Sequence, residues 1–234
     1  MSGTLYLIPC PITEGGTTEV IPLETSSIAL RCRIFIVENV KQARRYLKSL
    51  DRSTDIDVLQ FYSMGKHADD VEQSSIIVHL KSGEDVGMIS DAGCPAVADP
   101  GWELVALAHQ NGICVRPLVG PSSILLTLMA SGMNGQSFAF HGYLPIDKTD
   151  RQQGIREMVR SIERSGATQL FMDTPFRNEK LFQDILSNAP DNFNLCLAQD
   201  VTGPKERIIT KSIQAWKSKS PDFLKIPMMM ALGH

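Results

Sequence analysis

The chain has 234 residues, 43% of them hydrophobic, and carries 23 Lys and Arg against 26 Asp and Glu, a net charge of −3. This length suits either one large α/β domain or two smaller ones. The slightly acidic balance excludes a strongly basic nucleic-acid binder, so an RNA partner would require a local basic patch.

The cysteines are scattered and odd in number: Cys10, Cys32, Cys94, Cys114 and Cys196, with no CxxC pair. This pattern fits neither a disulfide framework nor a structural zinc site, and it predicts a reducing compartment. No stretch approaches the ~18 apolar residues of a membrane span, and the amino terminus lacks a basic signal-peptide region. We expect a cytoplasmic protein with no membrane contact and no bound metal.

Strand and helix patterns alternate along the first half of the chain. Residues 4–9 predict a buried strand followed by a turn-rich stretch. Then come a strand at 32–39, helices at 40–50 and 68–83, a strand at 84–90, a helix at 101–112 and a strand at 113–120. Alternating strands and helices predict crossover connections and a mostly parallel sheet, with ligands at the carboxyl ends of the strands.

The second half continues in the same way. Helices are predicted at 120–132, 147–166 and 178–190, and strands at 137–145, 168–173, 193–200 and 227–234. Met228, Met229 and Met230 are more typical of buried strand filler than of a cofactor motif. We place the domain boundary between 115 and 120 and divide the chain into α/β domains at 1–117 and 118–234.

The loop after the strand 84–90 has the sequence ISDAGCPAVADPG, residues 89–101. Gly93 permits a positive φ or the close approach of a ligand, and Asp91 can accept hydrogen bonds from hydroxyls or amides. The alternative is ordinary turn chemistry, with Asp91 in an Asx turn and Asp99 as a helix cap. Two aspartates without neighbouring histidines make a metal site the weakest interpretation.

Further along the chain, Ser122 and Ser123 in GPSS either cap the next helix or bind an anion at its start. The segment is too short for a phosphate-binding P-loop and has no lysine, and the chain has no G-x-G-x-x-G dinucleotide motif. Two groups of basic residues are either solvated helix faces or contacts to a phosphate backbone. They are Arg31, Arg33, Lys41, Arg44, Arg45 and Lys48, and Lys148, Arg151, Arg156, Arg160 and Arg164.

The order of four blocks along the chain carries a family resemblance. MISDAGCPAVADPG, VRPLVGPSSILLTLMASG, FAFHGYLP and TQLFMDTPFRNEKLFQDI resemble the tetrapyrrole methylase superfamily. Within it they are similar to the branch that methylates the ribose 2′-oxygen of a cytidine in small-subunit ribosomal RNA. The resemblance covers residues 80–234 well and the first 80 loosely.

The resemblance implies an S-adenosylmethionine-dependent methyltransferase made of two α/β domains, with the cofactor in the cleft between them. The first domain would also carry the substrate side, the acceptor would be ribosomal RNA or the small ribosomal subunit, and the protein would form a homodimer. The implied cofactor contacts all lie at or beside predicted strand ends. They are Pro11, Ser90, Asp91, Gly93, Pro95, Ser122, Ser123, Met172, Asp173 and Met228. On this interpretation the loop divides, with Asp91 and its glycine meeting the cofactor and Asp99 capping a helix.

The amino-terminal segments depart from the ribosomal branch. CPITEGG, residues 10–16, keeps Pro11 and Ile12 of the usual Thr-Pro-Ile-Gly-Asn turn but loses its glycine and asparagine. VENVKQARR stands in place of an acidic-Thr-Arg segment, and KHADD in place of His-Asn-Glu. Because substrate contacts are expected here, a tetrapyrrole or other small-molecule acceptor stays an alternative, as does a relative that binds cofactor without catalysis.

Methyl transfer from a sulfonium needs mainly an aligned acceptor and the exclusion of water. A ribose hydroxyl is a poor nucleophile, so a general base would help. The candidates are Glu38, His67, His141 and Asp200, and the sequence singles out none of them.

Overall fold

A computed structural model of the chain describes residues 2–13, 18–64, 70–219, 221–222 and 226–234. The chain divides into two compact units, Met1–Ser122 and Ser123–His234. The segment after residue 117 stays with the first unit because it bonds to it: Leu118 N–H donates to the Leu7 carbonyl at 3.0 Å, and the Thr25 hydroxyl donates to the Val119 carbonyl at 2.8 Å.

The described strands of the first unit form one parallel sheet in the order β3-β2-β4-β1-β5. Its elements in chain order are β1 (Thr4–Leu7), a short 3-10 helix (Thr18–Val20), α1 (Leu23–Arg31), β2 (Ile34–Val37), α2 (Val40–Leu50), β3 (Gln60–Ser63), α3 (Asp70–Lys81), β4 (Val86–Ile89), α4 (Trp102–Gln110) and β5 (Cys114–Pro117).

Apolar side chains cover both faces of this sheet. On one face Phe35 and Val37 pack with residues of α1 and α2, and on the other Ile34 and Ile36 pack with residues of α3 and α4. Helices on both faces leave the central strands without a solvated side, which is why β2 and β4 are apolar throughout.

The helix α1 and the strand β3 of the first unit were not predicted from the sequence. The sequence pattern predicted no element at residues 23–31, where α1 lies; this helix buries only Thr25, Ile28 and Ala29 and therefore shows a weak helical pattern. β3 lies at the sheet edge, and its residues are partly or fully exposed, so its sequence lacks the apolar run of the inner strands.

The described strands of the second unit form a second sheet in the order β6-β7-β10-β8-β9. Its elements are α5 (Ser123–Ser131), β6 (Phe138–Tyr143), α6 (Lys148–Ser165), β7 (Thr168–Asp173), α7 (Asn178–Asn188), β8 (Asn194–Gln199), β9 (Arg207–Ser212), α8 (Ile213–Ser218) and β10 (Met228–Gly233).

The parallel arrangement predicted from the first half of the chain does not extend to this second unit. Only β6 and β7 run parallel among its described strands, while β10 is antiparallel to β7 and β8, and β8 is antiparallel to β9. The cause is β9, which the sequence did not predict. It pairs with β8 after a short turn in which Asp200 and Thr202 take positive φ angles of 51° and 67°.

The core of the second unit lies between its sheet and the helices α6, α7 and α8. The predicted inward positions of α6 are confirmed, since Ile155, Met158, Val159 and Ile162 are all buried. The three methionines at 228–230 are buried in β10, as predicted for strand filler.

Arg151 does not belong to a solvated basic face, which corrects one member of the second basic group. Its side chain is 2% exposed, and its Nε and Nη2 atoms donate to Asp184 Oδ2 at 2.8 and 2.6 Å. Nη1 also donates to the carbonyls of Pro145 and Ile146. Arg151 therefore joins α6 to α7 and to the segment that precedes α6.

Candidate functional site

A cavity of about 640 Å³ opens in the first unit, where β1 and β4 end. This is the edge of a parallel sheet at which ligands are expected, and the size lies within the range of small-molecule sites. The lining residues come from the segment after β1, from α2 and from the segment after β4. They are Cys10, Pro11, Ile12, Thr13, Gln42, Ala43, Arg45, Tyr46, Ser49, Ile89, Ser90, Asp91 and Ala92.

Backbone hydrogen bonds hold the two segments together beyond the strand ends. Cys10 N–H donates to the Gly93 carbonyl at 3.0 Å, and the Cys10 thiol donates to the Ser90 carbonyl at 3.2 Å. Gly93 has a φ of 67°, a conformation that glycine adopts without strain. The Tyr46 hydroxyl donates to the Pro9 carbonyl at 2.9 Å and so ties α2 to the same turn. The predicted residues Pro11, Ser90, Asp91 and Gly93 are thus brought together.

Two hydroxyl groups on the cavity wall are buried without a partner in the described part of the chain. They are the Oγ1 atom of Thr13 and the Oγ atom of Ser90. A buried hydroxyl that makes no hydrogen bond costs about 1 to 3 kcal/mol, and native structures rarely leave one unexplained. These atoms therefore fit a polar ligand in the cavity.

Three carboxylates interact electrostatically at this edge of the sheet. Glu38, which directly follows β2, accepts a hydrogen bond from the Asp91 N–H through Oε1 at 3.2 Å, and Gln42 Nε2 donates to Asp91 Oδ2 at 3.4 Å. Burial and then the charge of Asp99 raise the pKa of Glu38 to about 7. Burial and then the charge of Asp91 raise the pKa of Asp99 to about 6, and burial also raises the pKa of Asp91. Perturbed carboxylates beside a cavity are typical of functional sites.

The prediction that Asp99 caps the next helix is wrong. The N-cap of α4 is Gly101, in a left-handed conformation with φ 119°, and no side chain bonds to the cap. Asp99 lies too early in the chain for that position, because Pro100 and Gly101 separate it from the first helical residue. Its carboxylate instead contributes to the acidic group with Glu38 and Asp91.

The second half of the loop holds a strained backbone. Ala96 and Ala98 have φ angles of 62° and 64°, which residues with a Cβ adopt at a cost of about 1 to 3 kcal/mol each. Pro95 between Gly93 and Ala96 is buried. Strain of this kind concentrates at ligand sites.

The remaining predicted cofactor contacts lie elsewhere. Ser122 closes the first unit, directly after Pro121, whose carbonyl accepts from the Cys94 thiol at 3.4 Å, and Ser123 begins α5. In the second unit, Met228 pairs with Asp173 across β10 and β7, and Met229 pairs with Met172. Met172, Asp173 and Met228 thus form a group of neighbours across the paired strands β7 and β10.

Asp173 in that group is 1% exposed, and Arg177 Nη2 approaches its Oδ2 at 3.2 Å. Gln199 pairs with Met228 from the other side, and its Nε2 is buried without a partner in the described residues. A part for these residues in cofactor binding stays a prediction.

The general-base candidates stand differently in the structure. Glu38 belongs to the acidic group just described. His141 Nε2 lies 2.7 Å from Gln169 Oε1 in the second unit, and the Asp200 carboxylate accepts from the Lys205 N–H in the turn after β8. His67 lies outside the described residues.

Sequence reasoning missed Thr13 and the cavity-facing side of α2. Gln42, Arg45 and Ser49 recur at helical spacing opposite the apolar stripe, and that pattern identifies a polar face but does not say what it faces. The pairing of β1 with β4 supplies that information, because it places the segment 10–13 beside 89–92.

Comparison with known proteins found relatives but no match to a family model. A protein named ribosomal RNA small subunit methyltransferase I, from Halalkalibacterium halodurans, is 32% identical over 184 residues, which is 79% of this chain and 60% of that protein. The protein of the same name from Micromonospora olivasterospora is 31% identical over 89% of this chain and 62% of its own length. That from Escherichia coli O157:H7 is 25% identical over 99% of this chain and 78% of its own length. The chain thus spans about three fifths of the length of the first two relatives.

Solved structures agree in fold. A uroporphyrin III C-methyl transferase from Thermus thermophilus superposes with a TM-score of 0.61 at 16% identity, covering 99% of this chain and 98% of that one. Uroporphyrin-III C-methyl transferase from the same organism, complexed with S-adenyl homocysteine, superposes with a TM-score of 0.58 over the same shares of the two chains. The resemblance and the fold class predicted from the sequence are confirmed: this chain is similar to the ribosomal RNA small subunit methyltransferase I proteins and has the α/β fold of the tetrapyrrole methylases.

Proposed function

We propose that this protein is an S-adenosylmethionine-dependent methyltransferase that transfers a methyl group to a ribose 2′-hydroxyl of ribosomal RNA. The observation that carries the proposal is the cavity at the ends of β1 and β4, with its acidic rim and with the Ser90 and Thr13 hydroxyls, which have no partner among the described residues. The names of the relatives support both the reaction and the acceptor.

The cofactor would be held by Pro11, Ser90, Asp91, Gly93 and Pro95 in the first unit. The Asp91 carboxylate suits the ribose hydroxyls or the amino group of this cofactor, and the Ser90 hydroxyl can donate or accept. A neighbour of the same fold, solved with S-adenyl homocysteine, supports this ligand class. We also assign Ser122, Ser123, Met172, Asp173 and Met228 to cofactor binding on the resemblance.

The bound cofactor supplies an electrophilic methyl group, so the chain's own task is to position the acceptor and exclude water. Tyr46 and the Cys10 thiol stiffen the cavity wall through their bonds to the Pro9 and Ser90 carbonyls. The hydrogen bond that the Asp91 N–H donates to Glu38 ties the loop after β4 to the residue that follows β2. These three contacts hold the cavity in one shape before a ligand enters.

The proposal is tested with the purified chain, labelled cofactor and small ribosomal subunits from a strain that lacks the corresponding gene. We expect label in RNA that nuclease releases, at a ribose that resists alkaline cleavage. Absence of label from subunits and from their naked RNA would contradict the proposal.

A small-molecule acceptor is the second candidate, because the segments CPITEGG and KHADD depart from the ribosomal branch where substrate contacts are expected. Labelled product that survives nuclease treatment would favour it. Binding of the cofactor without turnover on any acceptor would instead indicate a relative that has lost catalysis.

We further propose a cytoplasmic homodimer. The free cysteines and the ribosomal acceptor support the compartment. In the described residues, no helix has both the length and the apolar character that crossing a bilayer requires. Exposed Leu125 and Met129, one turn apart on α5, support an apolar contact between copies, and light scattering of the purified chain would measure its mass.

A further inference from the structure

The helix α2 concentrates positive charge on one side of the cavity. Its eleven residues include Lys41, Arg44, Arg45 and Lys48, all exposed, and no acidic residue. The first unit as a whole carries more acidic than basic residues, so this charge is local and not a consequence of composition. A local basic helix on an otherwise acidic unit is typical of a surface that binds a polyanion.

Two of these four cations already make a contact. Arg44 lies over the Phe61 ring at 5.3 Å, and Lys48 Nζ donates to the Arg52 carbonyl at 3.1 Å. Within the residues that the structure describes, the side chains of Lys41 and Arg45 take part in no ion pair or hydrogen bond. An Arg without an acidic partner is free to form bidentate bonds with a phosphate group.

Arg45 also connects the basic helix with the cavity. It lines the cavity together with Gln42 and Ser49, which lie three residues before it and four after it on the same face of α2. The other wall carries Asp91 and Ser90. Asp91 and Ser90 are the residues that we assign to the cofactor, so a phosphate bound by Arg45 would lie at the α2 wall, across the cavity from them.

We propose that the exposed face of α2 is the RNA-docking surface of the first unit, with Arg45 holding a phosphate next to the acceptor nucleotide and Lys41 holding one further along the strand. The inference rests on the proposed function, because it assumes an RNA acceptor, and it adds the element and the side chains that bind it. It also assigns RNA contact to α2 and not to the basic group on α6.

The test measures binding of the full chain to small-subunit ribosomal RNA as a function of salt, for the wild type, Arg45→Gln and Lys41→Gln/Arg45→Gln. Each substitution should weaken binding about tenfold at low salt and reduce the slope of log K against log salt by about 1. Arg45→Lys, which keeps the charge, should keep most of the slope. In steady-state methylation the KM for RNA should rise with kcat little changed.

The matched control is Lys81→Gln, an exposed cation of the same unit at the end of α3, and it should bind RNA as the wild type does. The competing surface is tested by Arg160→Gln/Arg164→Gln on α6. Loss of the salt slope in that variant, with none in the α2 variants, would overturn the inference. RNA binding that is equally strong in the wild type and in all variants would also overturn it.

Failure of the inference and failure of the proposed function give different results. Urea unfolding of Arg45→Gln should match that of the wild type, which verifies that the variant is folded. Methylation of RNA by the wild type with no effect of the α2 variants would refute only the inference. No RNA binding by the wild type, together with binding to phosphatidylserine vesicles that depends on Lys41 and Arg45, would refute both.

Discussion

The Oε1 atom of Glu38 accepts a hydrogen bond from the backbone N–H of Asp91 at 3.2 Å, across 53 residues of sequence. Glu38 follows β2 and Asp91 follows β4, and the two strands are neighbours in the sheet. The contact joins a residue with a pKa raised to about 7 to the loop that we assign to the cofactor. The contact therefore couples the protonation of Glu38, at the end of β2, to the conformation of the loop after β4.

This relationship predicts a pH dependence of stability. Burial and the charges of Asp99 and Asp91 make the folded state bind the Glu38 proton more tightly than the unfolded chain does. As pH rises from the ordinary glutamate pKa of about 4.3 toward about 7, the folded state loses stability relative to the unfolded state, because it holds the charged form less well. Glu38→Gln, which keeps the acceptor oxygen but cannot ionise, should escape this loss.

The measurement is urea unfolding of both proteins between pH 4 and pH 8. The stability of Glu38→Gln relative to the wild type should increase through this window and level off above it. Parallel stability curves for the two proteins would show that Glu38 ionises normally.

Asp91→Ala should weaken binding of S-adenosylmethionine by about 1 to 3 kcal/mol if the carboxylate accepts a hydrogen bond that the bound ligand buries. Isothermal titration calorimetry measures the effect directly. Asp57→Ala, which removes an exposed carboxylate that does not line the cavity, serves as the control and should leave the affinity unchanged. Wild-type affinity in a folded Asp91→Ala protein would remove this residue from the cofactor site.

Arg151→Ala should lower the free energy of unfolding by about 3 to 5 kcal/mol, because it leaves the Asp184 carboxylate charged and buried without its partner. The exposed Arg160 on the same helix gives the matched control, since its replacement by alanine should change stability by less than about 0.5 kcal/mol. Denaturant unfolding compares the two. If Arg151→Ala lowers the free energy of unfolding no more than the control does, the ion pair is dispensable for stability.

Ala98→Gly should raise the free energy of unfolding by roughly 0.5 to 1 kcal/mol, since relief of the left-handed strain at φ 64° exceeds the entropy that glycine adds to the unfolded chain. Ala106→Gly in the middle of α4 should have the opposite sign and cost about 1 kcal/mol. Thermal and urea unfolding of the two variants measure both effects. Destabilisation by Ala98→Gly would mean that the Ala98 methyl group makes contacts worth more than the strain.

Local sequence was sufficient for elements whose pattern reflects their own burial. α6 shows this, because Ile155, Met158, Val159 and Ile162 recur at helical spacing and are all buried. Local sequence was insufficient for α1, β3 and β9. These elements are short or half exposed, so their sequences show little periodicity. The antiparallel insertion of β10 between β7 and β8 depends on pairing between distant segments, which no local pattern encodes.

The sequence by itself determined the family resemblance and the loop 89–101 as a candidate site, because glycine, proline and aspartate there act through their own backbone and side-chain chemistry. Tertiary structure decided the partners of that loop. Strand pairing places Thr13, the polar face of α2 and the Glu38 carboxylate beside it, and shows that Asp99 is not a helix cap. The physical reason is that cavities, raised pKa values and buried hydroxyls without partners arise from residues far apart in the chain, whose proximity exists only after the sheet has formed.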